Sequence, residues 1–331
     1  MTGGCHAYSA TICCACSHFC LLAVHQSAHA AARDRVFVAS YGSDSNPCTF
    51  LSPCKTFQQA VNVVASGGEV TAIDSAGFGP ISITKPITIT SPDGVEAGIV
   101  PNPGGNAITI NTPGDVFLRG LTLEGNNSGV DGISLTGSCC SGTISIVHCV
   151  IRHFTHDGIY LQPTGVETLT IIDTIAANNG NDGIDLSPSQ AGSLLGVIDH
   201  STTVSNGVDG MSVYGANATS QGVLVITIVN SVTADNFSNG VKAFTIPSTA
   251  TTSVMVRDTT ATQNNFNGAQ TAAGFLADGT AAMSFAHVNA SFNTVYGIYI
   301  NKSAIGVSFG DNYATGNAQN LHGTLSSAGF L

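Results

Sequence analysis

Gly158-Ile159-Tyr160-Leu161, then Leu169-Thr170-Ile171-Ile172, Asp173-Thr174-Ile175, Asn178-Asn179-Gly180 and again Gly183-Ile184-Asp185-Leu186 set out the order in which apolar and turn residues recur along this chain. The opening pair returns as Gly132-Ile133, Gly158-Ile159, Gly183-Ile184, Gly210-Met211, Gly240-Val241, Gly274-Phe275 and Gly297-Ile298, at intervals of 26, 25, 27, 30, 34 and 23 residues. A period near 25 with a few longer intervals is the mark of a solenoid whose loops absorb insertions. Within each unit the runs are short, alternate with period 2 and end at Gly, Asn or Asp, which are strand signals. Three such strands close one coil, and each coil hydrogen-bonds to the next at ~4.8 Å along the axis. The pattern predicts an all-β parallel coil of about nine to eleven turns over residues 69–320, with 321–331 as a tail. A β-sandwich would need hairpin turns every ~8–12 residues and no fixed repeat.

Alternation fixes the faces. Ile133, Leu135, Ile159, Leu161, Ile184, Leu186, Met211, Val213, Ile298 and Ile300 point inward, and Ser134, Tyr160, Asp185, Ser212, Lys242 and Tyr299 point outward. A second column follows the middle strand: Gly120, His148, Asp173, Asp199, Asn230, Asp258, His287 and Asp311. Short Asp and Asn side chains bond their own backbone and suit tight turns, so this column reads as a stacked turn rather than a catalytic ladder.

Residues 34–68 read as an N-terminal cap. Thr56 followed by Gln59 makes a capping box for a helix over 57–65, with Phe57, Ala60, Val61 and Val64 on one face and Gly67 as its stop. Ahead of it, residues 1–30 hold five of the ten Cys, an apolar run from Ala10 to Val24 and Ala28-His29-Ala30. This segment reads as a signal peptide, which places the mature chain outside the cytoplasm, secreted or periplasmic. The alternative is a Cys-rich metal-binding segment using His6, His18 and His25. The run is too short for a ~20-residue membrane span. In an exported chain, Cys48 and Cys54 bracket a turn-rich stretch suited to a disulfide, and Cys149 is free or paired with Cys139 or Cys140.

Only 9% of the 331 residues are charged, against ~25% in ordinary soluble domains, so hydroxyls and amides must solvate the surface. A net charge of −11 repels phosphate backbones, and nine Lys and Arg release few counterions, so nucleic acid is excluded as a partner.

The Arg35-Val36-Phe37-Val38-Ala39-Ser40 opening with Gly42-Ser43-Asp44, the Pro53-Cys54-Lys55-Thr56-Phe57-Gln58-Gln59-Ala60-Val61 segment and the repeated Asn/Gly-Asp-Gly-Ile turns resemble the right-handed parallel β-helix, pectin-lyase-like superfamily. The resemblance covers roughly residues 35–320 and implies a single-stranded right-handed coil. For activity it implies only a range, from polysaccharide lyases and hydrolases to adhesins and tailspikes. The Asn-Thr-Asp, Asp-Asp, Gly-His-Gly and Arg-Ile-Lys signatures of polygalacturonases are missing.

Candidate chemistry concentrates on the first strand of the repeat. Asp131, Asp157, Asp182, Asp209 and Asn239 stand immediately before the repeating Gly, and Arg152, His153, His156, Asp157 and Tyr160 make the densest ionisable patch. Carboxylates on adjacent coils fall near the ~5–5.5 Å of a retaining glycosidase pair, or ~6.5–9.5 Å if displaced by a residue. Asp182 and Asp185 are the candidate acid/base or nucleophile pair, with Asp157, Arg152 and His156 beside them. Tyr160, Asp209, Tyr214 and Lys242 are candidate substrate contacts on an elongated groove that fits a polysaccharide. The superfamily's lyase strategy implies an alternative, with Ca²⁺ held by Asp157, Asp182 and Asp209 while Arg152 abstracts a proton beside a uronate. Two bland readings stand beside these. Asp-Gly is a good turn dipeptide at a repeated corner, and the coil is also suited to being a structural or adhesin-like surface rod.

Overall fold

The computed structural model describes residues 33–137, 141–265 and 271–328. Three parallel sheets of twelve, ten and ten strands run along this body, and apart from the first two strands of the twelve-stranded sheet, which are consecutive, neighbours are three apart in chain order. Ile133–Gly137 pairs with Ile159–Pro163, which pairs with Ile184–Leu186, which pairs with Met211–Tyr214. After a first circuit that carries a helix instead, each circuit of chain lays one strand in each sheet, giving a right-handed parallel β-helix of about 10 turns. The coil starts earlier than residue 69, because Arg33–Val38 and Val64–Ala72 are already the first two strands of the twelve-stranded sheet. The leader over 1–30 and the pair Cys139 and Cys140 lie outside the described residues.

All ten expected inward residues are core: each is 3% exposed or less. The repeating Gly is required by close packing between coils. A Cβ on Gly183 would stand 2.7 Å from the Gly210 carbonyl oxygen, and one on Gly158 would stand 2.6 Å from that of Gly183. No side chain fits such an approach.

The helix runs Phe57–Val63, two residues shorter than expected. Thr56 Oγ1 accepts the Gln59 N–H, and Phe57, Ala60 and Val61 are buried, with the Phe57 ring 5.0 Å from that of Phe78. Val64 then turns directly to extended backbone and opens the next strand. Gly67, at φ +79°, lies inside that strand and is not the helix stop. Cys48 and Cys54 form the expected disulfide, with Cα atoms 4.6 Å apart. Cys149 is a buried free thiol whose pKa burial pushes up to about 11, so it is inert as a nucleophile. Among the described residues no helix is long and apolar enough to cross a membrane.

Corners carry the regularity the strands do not. The expected turn column is real: Gly120, His148, Asp173, Asn230, Asp258 and His287 all have positive φ. Two positions move by one residue. His200 (φ 48°), not Asp199, stacks on Asp173, because Asp199 is still the last residue of its strand and pairs with Ile172. Gly310 (φ 98°), not Asp311, takes the place after His287. At the next corner a buried asparagine ladder was missed. Asn179, Asn206, Asn236, Asn264 and Asn293 each donate Nδ2 to the Oδ1 of the next coil's Asn at 2.9–3.1 Å, ending on Asn317. Each Oδ1 also accepts a backbone N–H, so amides that would be costly to bury are satisfied.

Candidate active site

The column before the repeating Gly is not a row of solvent-facing acids. Asp131, Asp157, Asp182, Asp209 and Asn239 are 5, 0, 6, 1 and 4% exposed. Asp157 Oδ1 accepts the Asp182 N–H at 2.8 Å, Asp182 Oδ1 that of Asp209 at 2.8 Å, and Asp209 Oδ1 that of Asn239 at 2.9 Å. The same bond links Asp131 to Asp157 at 3.3 Å and Asn239 to Ala273 at 2.8 Å. The repeated Asp is therefore first a coil-to-coil clamp, which sharpens the turn-dipeptide reading. The outward column is uneven as well. Ser134 and Ser212 are 3 and 4% exposed, short side chains recessed in the sheet, whereas Tyr160, Asp185, Lys242 and Tyr299 are half-buried.

Seven of the nine candidate catalytic and substrate residues line one open cleft of about 390 Å³: His156, Tyr160, Asp182, Asp185, Asp209, Tyr214 and Lys242. Parallel pairing places them in line, since Tyr160, Asp185, Ser212 and Lys242 are register partners on four successive coils. Asp157 lies beneath, with Oδ2 at 3.0 Å from His156 Nδ1, while Asp131 Oδ1 is 2.9 Å from the same nitrogen. Arg152 does not join them. It ends the strand Val150–Arg152 in a different sheet, where its Nε donates to Glu124 at 2.9 Å, and it does not line this cleft. Ser187 and Asn181 also line the cleft and escaped the sequence reading. Ser187 Oγ donates to Asp185 Oδ2 at 3.0 Å and Asn181 Nδ2 to Asp157 Oδ1 at 2.8 Å. Position i+2 from a strand Asp was the only available signal for Ser187.

Electrostatics separate the acids. Burial, with the Asp157 charge adding to it, pushes Asp185 up to about 7, and its Oδ1 has no hydrogen-bond partner. Burial raises Asp157 to about 6 against the opposing pull of His156. Asp182 is raised well above the ordinary range by burial and by the neighbouring Asp209 and Asp185. Burial alone would lower Lys242 and His156, but both are raised, Lys242 by Asp209 and Asp182, His156 by Asp157 and Asp131. Lys242 Nζ is 3.4 Å from Asp209 Oδ2 and lies over the rings of Tyr214 and Phe244 at 5.8 and 6.0 Å.

A stability consequence follows from these directions. Folded carboxyls with raised pKa hold protons that the unfolded chain releases near pH ~3.9, so their contribution is present at low pH and lost as pH rises to about 7. His156 acts in the same sense. The melting temperature is expected to fall between about pH 5 and about pH 8, and Asp157→Asn to flatten that slope. A melt that instead rises over this range contradicts the assignment.

The Ca²⁺ trio does not fit. Asp157, Asp182 and Asp209 each commit Oδ1 to a backbone N–H, and the second oxygens of Asp157 and Asp209 face His156 and Lys242. Among the described residues the convergent group is Asp131, His156 and Asp157, whose ligand atoms lie within 4.8 Å of one another. One imidazole and two carboxylates are not the all-oxygen shell Ca²⁺ takes.

No known family description and no curated protein sequence matches the chain. Among solved structures it is similar to an alginate lyase from Paenibacillus sp. str. FPU-7, with 14% identity over 88% of this chain and 99% of that one and a TM-score of 0.59. It is also similar to pectate lyase Pel9A, with 15% identity over 92% of this chain and 78% of that one and a TM-score of 0.55. At such identity the likeness is one of architecture, and the chain shares with these two proteins the right-handed parallel β-helix.

Proposed function

We propose that this β-helix acts outside the cytoplasm, secreted or periplasmic, and cleaves a polysaccharide laid across the coils in the cleft of Asp182, Asp185 and Lys242. The observation that carries this is Asp185, a half-buried carboxyl that lines the open cleft, takes the Ser187 hydroxyl on Oδ2 and is pushed up to about 7 by burial. Such a group is protonated often enough at neutral pH to donate to a glycosidic oxygen, and ionised often enough to be reset. Asp182, raised by burial and then by the Asp209 and Asp185 charges, is the second carboxyl on the cleft and the partner in this reading. Tyr160 and Tyr214 wall the cleft, and Lys242, kept cationic by Asp209, positions an oxygen-rich substrate. The disulfide supports the compartment.

Lys242 also favours a second reading, elimination from a uronate whose carboxylate it would neutralise; the alginate lyase and the pectate lyase above are among the structural neighbours. One panel separates these readings. Polygalacturonate, alginate, xylan and β-glucan are incubated with the protein, and reducing ends and ultraviolet absorbance are read together. New reducing ends without absorbance are the expected result; absorbance signals elimination. Retention on a polymer without product would overturn catalysis in favour of an adhesin-like protein, and neither binding nor product would leave a structural rod.

A further inference from the structure

We propose that Tyr296, Tyr299 and His322 form a distal subsite on the same face, holding a sugar ring of the same polymer about four sugar units from Asp185. This rests on the polysaccharide reading above. The pairing register gives the geometry: Asp185, Ser212, Lys242, Leu276, Tyr299 and His322 are partners on successive coils of one sheet. Four strand spacings separate Asp185 from Tyr299, roughly 19 Å, close to the length of four linked sugar rings. Leu276, 4% exposed, is the apolar floor between them.

Three rings gather there. Tyr296 and Tyr299 stack at 4.9 Å with planes 11° apart, and His322 lies 5.1 and 4.5 Å from them. Tyr299 and Tyr296 are half-buried, while the core beneath is filled by Ile298 and Ile300. The rings are therefore not needed to fill the interior. Tyr299 and His322 border an open cleft of about 440 Å³ with Asn301, Lys302 and Thr324. An aromatic face beside amide, ammonium and hydroxyl donors is the chemistry that takes a pyranose, C–H face on the ring and hydroxyls on the rim.

Dimers to octamers prepared from polygalacturonate, alginate, xylan and β-glucan test this by affinity measurement on wild type, Tyr299→Ala, Tyr299→Phe and His322→Ala, with melting temperatures compared. In the series that wild type binds, octamers are expected to bind roughly tenfold tighter than trimers, because a second contact on the same chain adds at high effective concentration. Tyr299→Ala should remove most of that gain and leave trimers within about twofold, and Tyr299→Phe should keep it. If Tyr299→Ala does not fold, His322→Ala carries the same expectation. Affinity that is flat with length, or octamers held equally by the alanine variants, overturns the subsite while leaving the polysaccharide reading intact. Binding of no series by wild type overturns both.

Discussion

Ile184→Asp is expected to destabilise the protein by on the order of 4 kcal/mol or more, enough to lower the melting temperature by roughly 10 °C or to abolish soluble expression. Ile184 is 1% exposed and sits in register between Ile159 and Met211, each in the core. An aspartate there would face apolar side chains from the coils on either side with no donor to satisfy it, and would also leave the volume of the isoleucine incompletely filled. Ile184→Val, which keeps shape and polarity, should cost only ~0.5–1.5 kcal/mol. Thermal melts of the two variants decide the matter, since a soluble aspartate variant that melts with the wild type would mean the side chain is not between coils.

On the substrate the panel identifies, Asp185→Asn should lower kcat by ~10²–10⁴-fold, the usual worth of a positioned proton donor, with little change in melting temperature. An amide keeps the shape and can still accept from Ser187, so the loss would report the missing proton rather than a collapsed cleft. Because burial holds Asp185 near 7, wild-type activity should decline as pH rises through about 7, and the variant should lack that limb. Asp182→Asn keeps an amide oxygen that can still accept the Asp209 N–H, as Asn239 does for Ala273, so it should lower the rate with little loss of stability, whereas Asp182→Ala should lose both. A variant of Asp185 with wild-type rate and pH profile would remove it from the mechanism.

The sequence by itself determined the architecture, for a local reason. Period-2 alternation and a Gly-apolar repeat are properties of neighbouring residues, and a closed coil is the structure that buries every such strand against its own repeats. The ten inward residues, the Cys48–Cys54 bond and most of the left-handed corner column were readable in the same way, because turn residues announce their backbone conformation. The register column that lines the cleft follows from the repeat too, which is why Tyr160, Asp185 and Lys242 are legible together.

Only the tertiary structure decided where corner side chains point. The asparagine ladder recurs with the repeat and was present in the letters, yet an Asn in a turn reads the same whether it faces water or a partner one coil away. Asp182 was placed on the groove by its sequence neighbours, but a backbone N–H from residue 209 draws one of its oxygens into the coil. Arg152 is four residues from His156, and the corner between them sends it to another sheet, toward Glu124. Side-chain direction at a corner depends on bonds to residues some 25 positions distant, and a one-residue difference in strand length, as at Asp199 and His200, changes which residue makes them.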